Sequence, residues 1–179
     1  LQSGVGCIQL RDKRSDTQTL IKRTQTLMRL ARPWRVLVIV NDRVDVALAA
    51  GAHGVHLGQS DTPLAEARAT LGQHAVIGLS LEHPSELASA DVAIADYLAV
   101  SPVFDTPTKT NTAPAWGLEG LRRTRLATRS PLVAIGGIDA ARLPAVWDTG
   151  VDGVAVVRAI SDAADTGAAV TQLRSLMSD

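Results

Sequence analysis

Aromatic residues and cysteine are scarce in this sequence. Phe, Tyr and Trp make up 3% of its 179 residues, too few for the stacking platforms on which single-stranded nucleic acids bind. The single cysteine, Cys7, excludes an internal disulfide framework. Because no signature of an activated thiol surrounds Cys7, we expect it to be a core residue.

An excess of charge of one sign is also missing, since 18 Lys and Arg residues balance 18 Asp and Glu residues. This balance argues against a nucleic-acid binder and against a polybasic membrane anchor. No apolar run approaches the roughly 20 residues of a membrane-spanning helix, and the first residues lack the charged and apolar regions of a signal peptide. We therefore expect a soluble, cytoplasmic protein with small-molecule partners and no nucleic acid or membrane; the sequence leaves a homo-oligomer open.

Seven short apolar runs alternate with segments whose apolar residues recur at helical spacing, such as Leu20, Leu27 and Leu30. Continuous apolar runs of this length are typical of buried parallel strands. The strands are predicted at 7–10, 35–40, 54–57, 76–79, 97–100, 132–135 and 153–157. The helices are predicted at 17–31, 44–50, 63–71, 84–89, 117–128, 140–147 and 161–177. Strict alternation of strand and helix predicts a parallel sheet wrapped by helices.

The predicted architecture is an α/β fold, a (β/α)8 TIM barrel. The chain is shorter than a complete barrel and opens directly before a strand. We therefore expect a single barrel domain over residues 1–179 that lacks its first strand–helix unit through an N-terminal truncation. An open doubly wound sheet is the alternative, which is disfavoured because no switch point is evident. Gly51 and Gly150, each between a helix and a strand, are expected to have positive φ.

Polar residues follow the first predicted strand. In a barrel the site lies at the C-terminal ends of the strands. Alternation along an extended chain turns Gln9, Arg11 and Lys13 to the same side, where three donors, two of them cationic, face one spot. Ordinary surface charges are the alternative. The position of Gln9 between Ile8 and Leu10 argues against it.

Two carboxylates, Asp42 and Asp61, follow the next two strands. Neighbouring parallel strands lie ~4.8 Å apart, so carboxylates at their ends can share one hard cation. Mg²⁺ usually takes one or two protein carboxylates and leaves its other positions to water and substrate phosphate. The pair therefore predicts a Mg²⁺-diphosphate site. The alternative is that each aspartate is a helix N-cap, which explains each one singly but explains the pairing less well.

A loop with two prolines follows the fifth strand and carries Thr106, Thr108 and Lys109. The prolines exclude a helix interior, and the two hydroxyls beside an ammonium group suit an anion such as phosphate. A solvated, threonine-rich surface loop is the alternative.

Ser80, at the end of the fourth strand, is either a helix N-cap or a ligand contact.

The last two strands end in groups that suit phosphate. Gly136 and Gly137 allow the backbone to approach a phosphate and to donate its N–H groups. Val157 and Arg158 lead into the final helix, and barrels recurrently bind phosphate after their seventh and eighth strands. None of the four histidines has metal-ligand spacing, so we expect each to be structural. His56, in a predicted strand, is the one that merits inspection.

Six motifs together resemble those of the thiamine-phosphate synthase family, in the family's order. None is specific alone, but the set covers essentially the whole chain. The motifs are QLRDK at 9–13, NDR at 41–43, GVHLGQSD at 54–61, SPVFxTxTK at 101–109, IGGI at 135–138 and GVAVV at 153–157.

The resemblance implies a Mg²⁺-dependent transferase of thiamine biosynthesis. Such an enzyme condenses 4-amino-2-methyl-5-hydroxymethylpyrimidine diphosphate with a thiazole phosphate, commonly carboxylated, to give thiamine phosphate, diphosphate and, from the carboxylated form, CO2. It further implies that Asp42 and Asp61 hold Mg²⁺ and that Lys109 and Ser80 are catalytic. The implied contacts of the pyrimidine diphosphate are Gln9, Arg11, Lys13, Asn41, Ser80 and Lys109. Those of the thiazole phosphate are Thr106, Thr108, Gly137, Val157 and Arg158, the last through its backbone.

Two other functions remain as alternatives. A thiazole tautomerase of the same superfamily has no diphosphate leaving group, so the Asp42 and Asp61 pair, together with Thr106, Thr108 and Lys109, favours the synthase over it. A non-catalytic barrel that binds a phosphate ligand, as a sensor or as one part of a larger fusion protein, is the other. Neither alternative releases diphosphate.

Overall fold

The computed structural model describes residues 1–106 and 113–177. The chain forms two compact units. The first comprises Leu1–Leu79 and Ala90–Asp96, and the second comprises Ser80–Ser89 and Tyr97–Asp179. The assignment of residues 1–179 to a single domain and the loss of a first strand–helix unit both stay predictions.

The first unit alternates strands and helices. Its elements are β1 (Cys7–Leu10), α1 (Thr17–Ala31), β2 (Leu37–Asn41), α2 (Val44–Ala50), β3 (Gly54–Leu57), α3 (Leu64–Leu71) and the first four residues of β4 (Val76–Leu81), with short 3-10 turns at Arg32–Trp34 and Ala90–Ala93. Each strand pairs in parallel with the next one along the chain, and the register places Asn41 opposite His56.

The second unit continues this pattern. It contains a 3-10 helix (Pro84–Ala88), β5 (Tyr97–Val100), α4 (Gly117–Ala127), β6 (Leu132–Ile135), α5 (Leu143–Trp147), β7 (Gly153–Ala155), α6 (Arg158–Ser161) and α7 (Thr166–Ser175). β5 pairs with β6 and β6 with β7, all in parallel. Among the described strands, neither unit has the reversal of strand order that a doubly wound sheet requires.

Strands β2 and β5 are buried on both faces. Val38, Ile39 and Val40 are consecutive residues of β2, and none is more than 2% exposed; in β5 the consecutive residues Leu98, Ala99 and Val100 are at most 3% exposed. Adjacent residues of a strand point to opposite faces, so both faces of these strands are covered, as expected for parallel sheets. In the part of the chain that the structure describes, no helix combines the length and apolar character needed to cross a membrane.

Two glycines between a helix and a strand, Gly51 and Gly150, have positive φ as predicted. Gly51, which follows α2, has φ +66°, and Gly150, which lies between α5 and β7, has φ +83°. An L-residue with a side chain is disfavoured in this left-handed region, whereas glycine adopts it at no steric cost. Both glycines therefore allow the chain to turn from a helix into the next strand.

Several boundaries differ from the predicted ones, among them the end of β4 at Leu81 rather than at residue 79 and the start of α5 at Leu143 rather than at residue 140. β2 begins at Leu37 rather than at residue 35, because Arg35 adopts a left-handed conformation (φ +53°) that closes the preceding 3-10 turn. The strand predicted at 153–157 ends at Ala155. The helix predicted at 161–177 is two helices, because the side chain of Asp165 accepts a hydrogen bond from the Ala168 N–H (2.9 Å) and so caps a new helix, α7.

The expectation that Cys7 lies in the core is wrong, because the residue is exposed. Among the described strands, β1 pairs only with β2, and its side chains alternate between exposed and half-buried positions. Cys7 and Gln9 take the exposed positions of this alternation.

Candidate active site

The turn after β2 holds Asp42 in a strained backbone conformation. Asp42 has φ +63°, a left-handed value that costs a residue with a side chain roughly 1–2 kcal/mol. Its N–H donates to the carbonyl oxygen of His56 (2.9 Å), and the Arg43 N–H donates to the carbonyl oxygen of Asn41 (2.8 Å). These bonds fix the turn, and Asp is among the residues that tolerate it best.

The turn after β3 positions Asp61. The Gly58 N–H donates to Asp61 Oδ2 (2.7 Å), and the Asp61 N–H donates back to the Gly58 carbonyl oxygen (3.2 Å). The N-cap of α2 is Arg43 and that of α3 is Pro63. The alternative that Asp42 and Asp61 are helix N-caps is therefore wrong for both.

The structure brings Asp42 and Asp61 together. Burial raises the pKa of Asp61, and the charge of Asp42 and a side-chain hydrogen bond with it add to the rise, against the Gly58 N–H and the charge of Lys13, which lower it. Lys13 Nζ lies 3.2 Å from Asp42 Oδ2. Among the described residues, the ammonium group of Lys13 is thus the cation beside these two carboxylates. One positive charge does not balance two negative ones, so a bound cation would stabilise the pair.

The loop after β1 carries the basic residues and is shaped by Asp12. The Asp12 carboxylate accepts hydrogen bonds from the N–H groups of Arg14 (3.0 Å) and Ser15 (3.2 Å) and from the Ser15 hydroxyl (2.8 Å). Arg23 also pairs with it. Sequence reasoning gave Asp12 no role, although its position between Arg11 and Lys13 was a usable signal. Arg11 itself is exposed, as are Gln9 and Lys13.

We expect Asp12→Asn to be less stable than the wild type at neutral pH and equally stable at about pH 2. Hydrogen bonds from Arg14 and Ser15 lower the pKa of Asp12 from 3.8 to about 2. A carboxylate with a lowered folded-state pKa contributes stability above its unfolded pKa, and this contribution is lost as the pH falls from 3.8 to about 2. Thermal unfolding of both proteins between pH 6 and pH 2 measures the difference, and a difference independent of pH would contradict the assignment.

Two other predicted residues, Asn41 and Ser80, lie within strands. Asn41 is the last residue of β2 and is half-buried. Ser80 lies inside β4 rather than after it, and it is half-buried. Because the next helical turn begins at Pro84 with His83 as its N-cap, the alternative that Ser80 is an N-cap is wrong.

In the second unit, the turn after β6 packs tightly against the loop after β5. Gly136 and Gly137 both have positive φ, +107° and +64°. A Cβ atom on Gly136 would lie 2.8 Å from Pro102 Cα, and one on Gly137 would lie 2.7 Å from the Asp105 carbonyl oxygen and 2.8 Å from Phe104 Cβ. Only glycine satisfies both the conformation and the close approach at these two positions.

Three consecutive carbonyl oxygens of this turn accept hydrogen bonds. Val103 N–H donates to the Ile135 oxygen (2.9 Å), Phe104 N–H to the Gly136 oxygen (3.0 Å) and Arg142 Nη1 to the Gly137 oxygen (2.7 Å). Within the described residues, the N–H groups of Gly137 and Ile138 donate to no backbone acceptor. A turn with its oxygens occupied and its N–H groups available is suited to an anion. Sequence reasoning identified the glycines but missed Arg142.

The remaining predicted residues of this unit have separate positions. Thr106 is half-buried, whereas Thr108 and Lys109 lie outside the described residues. Val157 is 51% exposed and directly precedes α6. Arg158 Nε donates to Asp162 Oδ2 (2.7 Å), and the contact of Arg158 with a ligand through its backbone stays a prediction.

A parallel α/β scaffold with paired carboxylates and a glycine turn at its strand ends is typical of enzymes that act on phosphorylated small molecules. Comparisons with known proteins narrow this class. A model of the family described as thiamine monophosphate synthase matches residues 1–160. The thiamine-phosphate synthase of Albidiferax ferrireducens is 48% identical over 177 residues, 99% of this chain and 81% of that protein. That of Vibrio campbellii is 45% identical over 177 residues, 99% of this chain and 87% of that protein.

Solved structures agree with the sequence comparisons. The thiamine phosphate pyrophosphorylase of Pyrococcus furiosus superposes with a TM-score of 0.90 at 39% identity, covering 98% of this chain and 84% of that one. A 3-hexulose-6-phosphate synthase, at 23% identity and a TM-score of 0.73, shares the fold alone; its match covers 97% of this chain and 88% of that one.

The chain belongs to the thiamine monophosphate synthase family. It is an enzyme, a transferase of thiamine biosynthesis, and thiamine-phosphate synthesis is the activity that this membership gives it. Its fold is a parallel α/β fold consistent with a TIM-like barrel.

Proposed function

We propose that the chain catalyses a Mg²⁺-dependent condensation of 4-amino-2-methyl-5-hydroxymethylpyrimidine diphosphate with a thiazole phosphate. The observation that carries this proposal is the pair of carboxylates, Asp42 and Asp61, held close enough for one to raise the pKa of the other. A metal-dependent leaving group explains why two acidic side chains are kept together at strand ends. A tautomerase or a phosphate sensor has no such need.

The donor set fits Mg²⁺. Both candidate ligands offer carboxylate oxygens, which this hard cation prefers. In the described residues, no group of three or more His, Cys, Asp or Glu side chains could hold a metal ion. A site of only two protein carboxylates suits Mg²⁺, which usually keeps several positions for water and substrate phosphate. Bound there, Mg²⁺ would supply positive charge to the departing diphosphate.

The chain's own residues would handle the leaving group. The bond between the pyrimidine methylene carbon and the diphosphate oxygen breaks, and a bond from that carbon to the thiazole nitrogen forms. Lys13, already in contact with Asp42, is placed to meet the negative charge that develops on the diphosphate, and Arg11 and Lys109 are proposed to add to it. Asn41, Gln9 and Ser80 are proposed to hold the pyrimidine substrate. Catalysis of this kind works by positioning and preorganised charge rather than by a side-chain nucleophile.

The thiazole phosphate is proposed to bind at the glycine turn of the second unit. Support comes from the N–H groups of Gly137 and Ile138, which have no backbone acceptor within the described part of the chain. Thr106 and Thr108 would add hydroxyl donors, and the backbone of Val157 and Arg158 would complete the phosphate contacts.

The test is diphosphate release by the purified chain with both substrates and Mg²⁺. We expect equal amounts of diphosphate and thiamine phosphate, and neither product when one substrate is omitted or when EDTA removes the metal. Isomerisation of a carboxylated thiazole phosphate without diphosphate release would identify a tautomerase instead. Binding of the thiazole phosphate without any reaction would identify a sensor.

A further inference from the structure

We propose that Arg142 is a positioning residue, which fixes the direction of the N–H groups of the Gly136–Gly137 turn toward the thiazole phosphate. This inference rests on the proposed function, because it takes the turn as the phosphate site. Arg142 lies directly before α5 and belongs to none of the six motifs.

The contact with Gly137 sets the orientation of a peptide plane. Arg142 Nη1 donates to the Gly137 carbonyl oxygen over 2.7 Å. In a planar trans peptide, the N–H of the next residue points opposite to that oxygen. The bond from Arg142 therefore directs the N–H of Ile138 away from the arginine. Ile138 is only 6% exposed, and a buried N–H without a partner costs free energy unless a ligand satisfies it.

A second contact extends the same control to the neighbouring loop. The Arg142 guanidinium lies over the Phe104 ring, 4.8 Å from its centroid, which is a cation–π distance. Phe104 N–H donates to the Gly136 oxygen, and this bond in turn directs the N–H of Gly137. The Arg142 side chain therefore restrains two peptide planes, one directly through the Gly137 oxygen and one through Phe104. The N–H groups of these two planes are those proposed to donate to the phosphate.

The arginine is itself held in place. Its own N–H donates to Asp139 Oδ1 over 2.9 Å, which fixes the backbone from which the side chain extends. Within the described residues its guanidinium has no ion pair with a carboxylate, whereas Arg125 and Arg158 each have one. The full positive charge of Arg142 therefore remains beside the turn, where it also favours the approach of an anion.

The test compares the kinetics of Arg142→Gln, Arg142→Lys and the wild type with each substrate varied in turn. For Arg142→Gln we expect the KM for the thiazole phosphate to rise about tenfold, a size typical of losing a charged hydrogen bond. The KM for the pyrimidine diphosphate should change by less than about twofold. Arg142→Lys keeps the charge and one donor, so it should recover part of the loss. Arg122→Gln, which removes an exposed arginine of α4, is the control and should match the wild type.

Three outcomes would overturn the inference. They are an unchanged KM for the thiazole phosphate in Arg142→Gln, equal increases in both KM values, and a fall in kcat alone. Thermal unfolding measured in parallel shows whether a variant has lost its fold, and Arg142→Lys then provides the informative comparison. A wild type that makes no diphosphate would contradict the proposed function itself, which is a different result from a wild type that is active and insensitive to Arg142.

Discussion

Asp42→Asn should lower the rate of diphosphate release by a factor of about 100 or more while leaving the protein folded. The substitution replaces one of the two proposed carboxylate ligands with a neutral amide, and each factor of ten in rate corresponds to ~1.4 kcal/mol of transition-state stabilisation. Asn also tolerates left-handed backbone, so the φ of +63° at this position can be retained. Steady-state assays at saturating substrate and a range of Mg²⁺ concentrations measure the effect, with thermal unfolding as the check on the fold.

Asp45→Asn is the matched control for this experiment. Asp45 lies three residues further along, is exposed, and pairs with Arg43 Nε (2.8 Å) and Nη2 (2.6 Å). Exposed ion pairs of this kind contribute little to stability, so we expect nearly wild-type stability and activity. Full activity of Asp42→Asn, or an equal loss in both variants, would contradict a specific role of Asp42.

Gly137→Ala should destabilise the protein by about 2–5 kcal/mol and abolish most turnover. The φ of +64° costs alanine roughly 1–2 kcal/mol. The new Cβ would meet the Asp105 carbonyl oxygen at 2.7 Å and Phe104 Cβ at 2.8 Å, and overpacking of this kind costs about 1–3 kcal/mol more. Relief of this overlap must move either the turn or the loop after β5, so the proposed phosphate contacts change in either case. Chemical denaturation and the KM for the thiazole phosphate report the two effects separately.

Gly51→Ala separates the two causes of the stability loss in Gly137→Ala, which are the steric overlap of the new Cβ atom and the conformational cost of positive φ. Gly51 has almost the same φ, +66°, but a Cβ atom there would have no neighbour within 4 Å. We expect this variant to lose only the conformational cost of about 1–2 kcal/mol and to keep its activity. Equal losses of stability in the two alanine variants would mean that the overlap with Phe104 and Asp105 does not contribute to the destabilisation.

The order of strands and helices could be predicted from the sequence because each element carries its own signal. Continuous apolar runs such as 54–57 are buried on both faces, so they stand out without any knowledge of the neighbouring strands. The pairing of Asp42 with Asp61 could be anticipated for a related reason. Consecutive parallel strands lie side by side, and residues directly after them therefore meet at one edge of the sheet.

Other features depend on tertiary contacts, for which the neighbouring sequence gives no signal. The left-handed conformation of Arg35 shortens β2, and nothing in its neighbourhood marks it as a turn residue, since glycine usually occupies such positions. Arg142 acquires its place only because Phe104 and Gly137, from two different loops, meet beside α5. Cys7 was expected in the core from its residue type, yet its exposure is decided by the strands beside it.

Binding of Mn²⁺ in the presence of inorganic diphosphate, followed by electron paramagnetic resonance, tests most directly whether Asp42 and Asp61 form one metal site. Mn²⁺ accepts the same carboxylate and phosphate oxygens as Mg²⁺ and is visible to this method. We predict one Mn²⁺ per wild-type chain and affinity at least about tenfold weaker in both Asp42→Asn and Asp61→Asn, since each variant replaces a carboxylate ligand with a neutral amide. Wild-type affinity in both variants would contradict the proposed site.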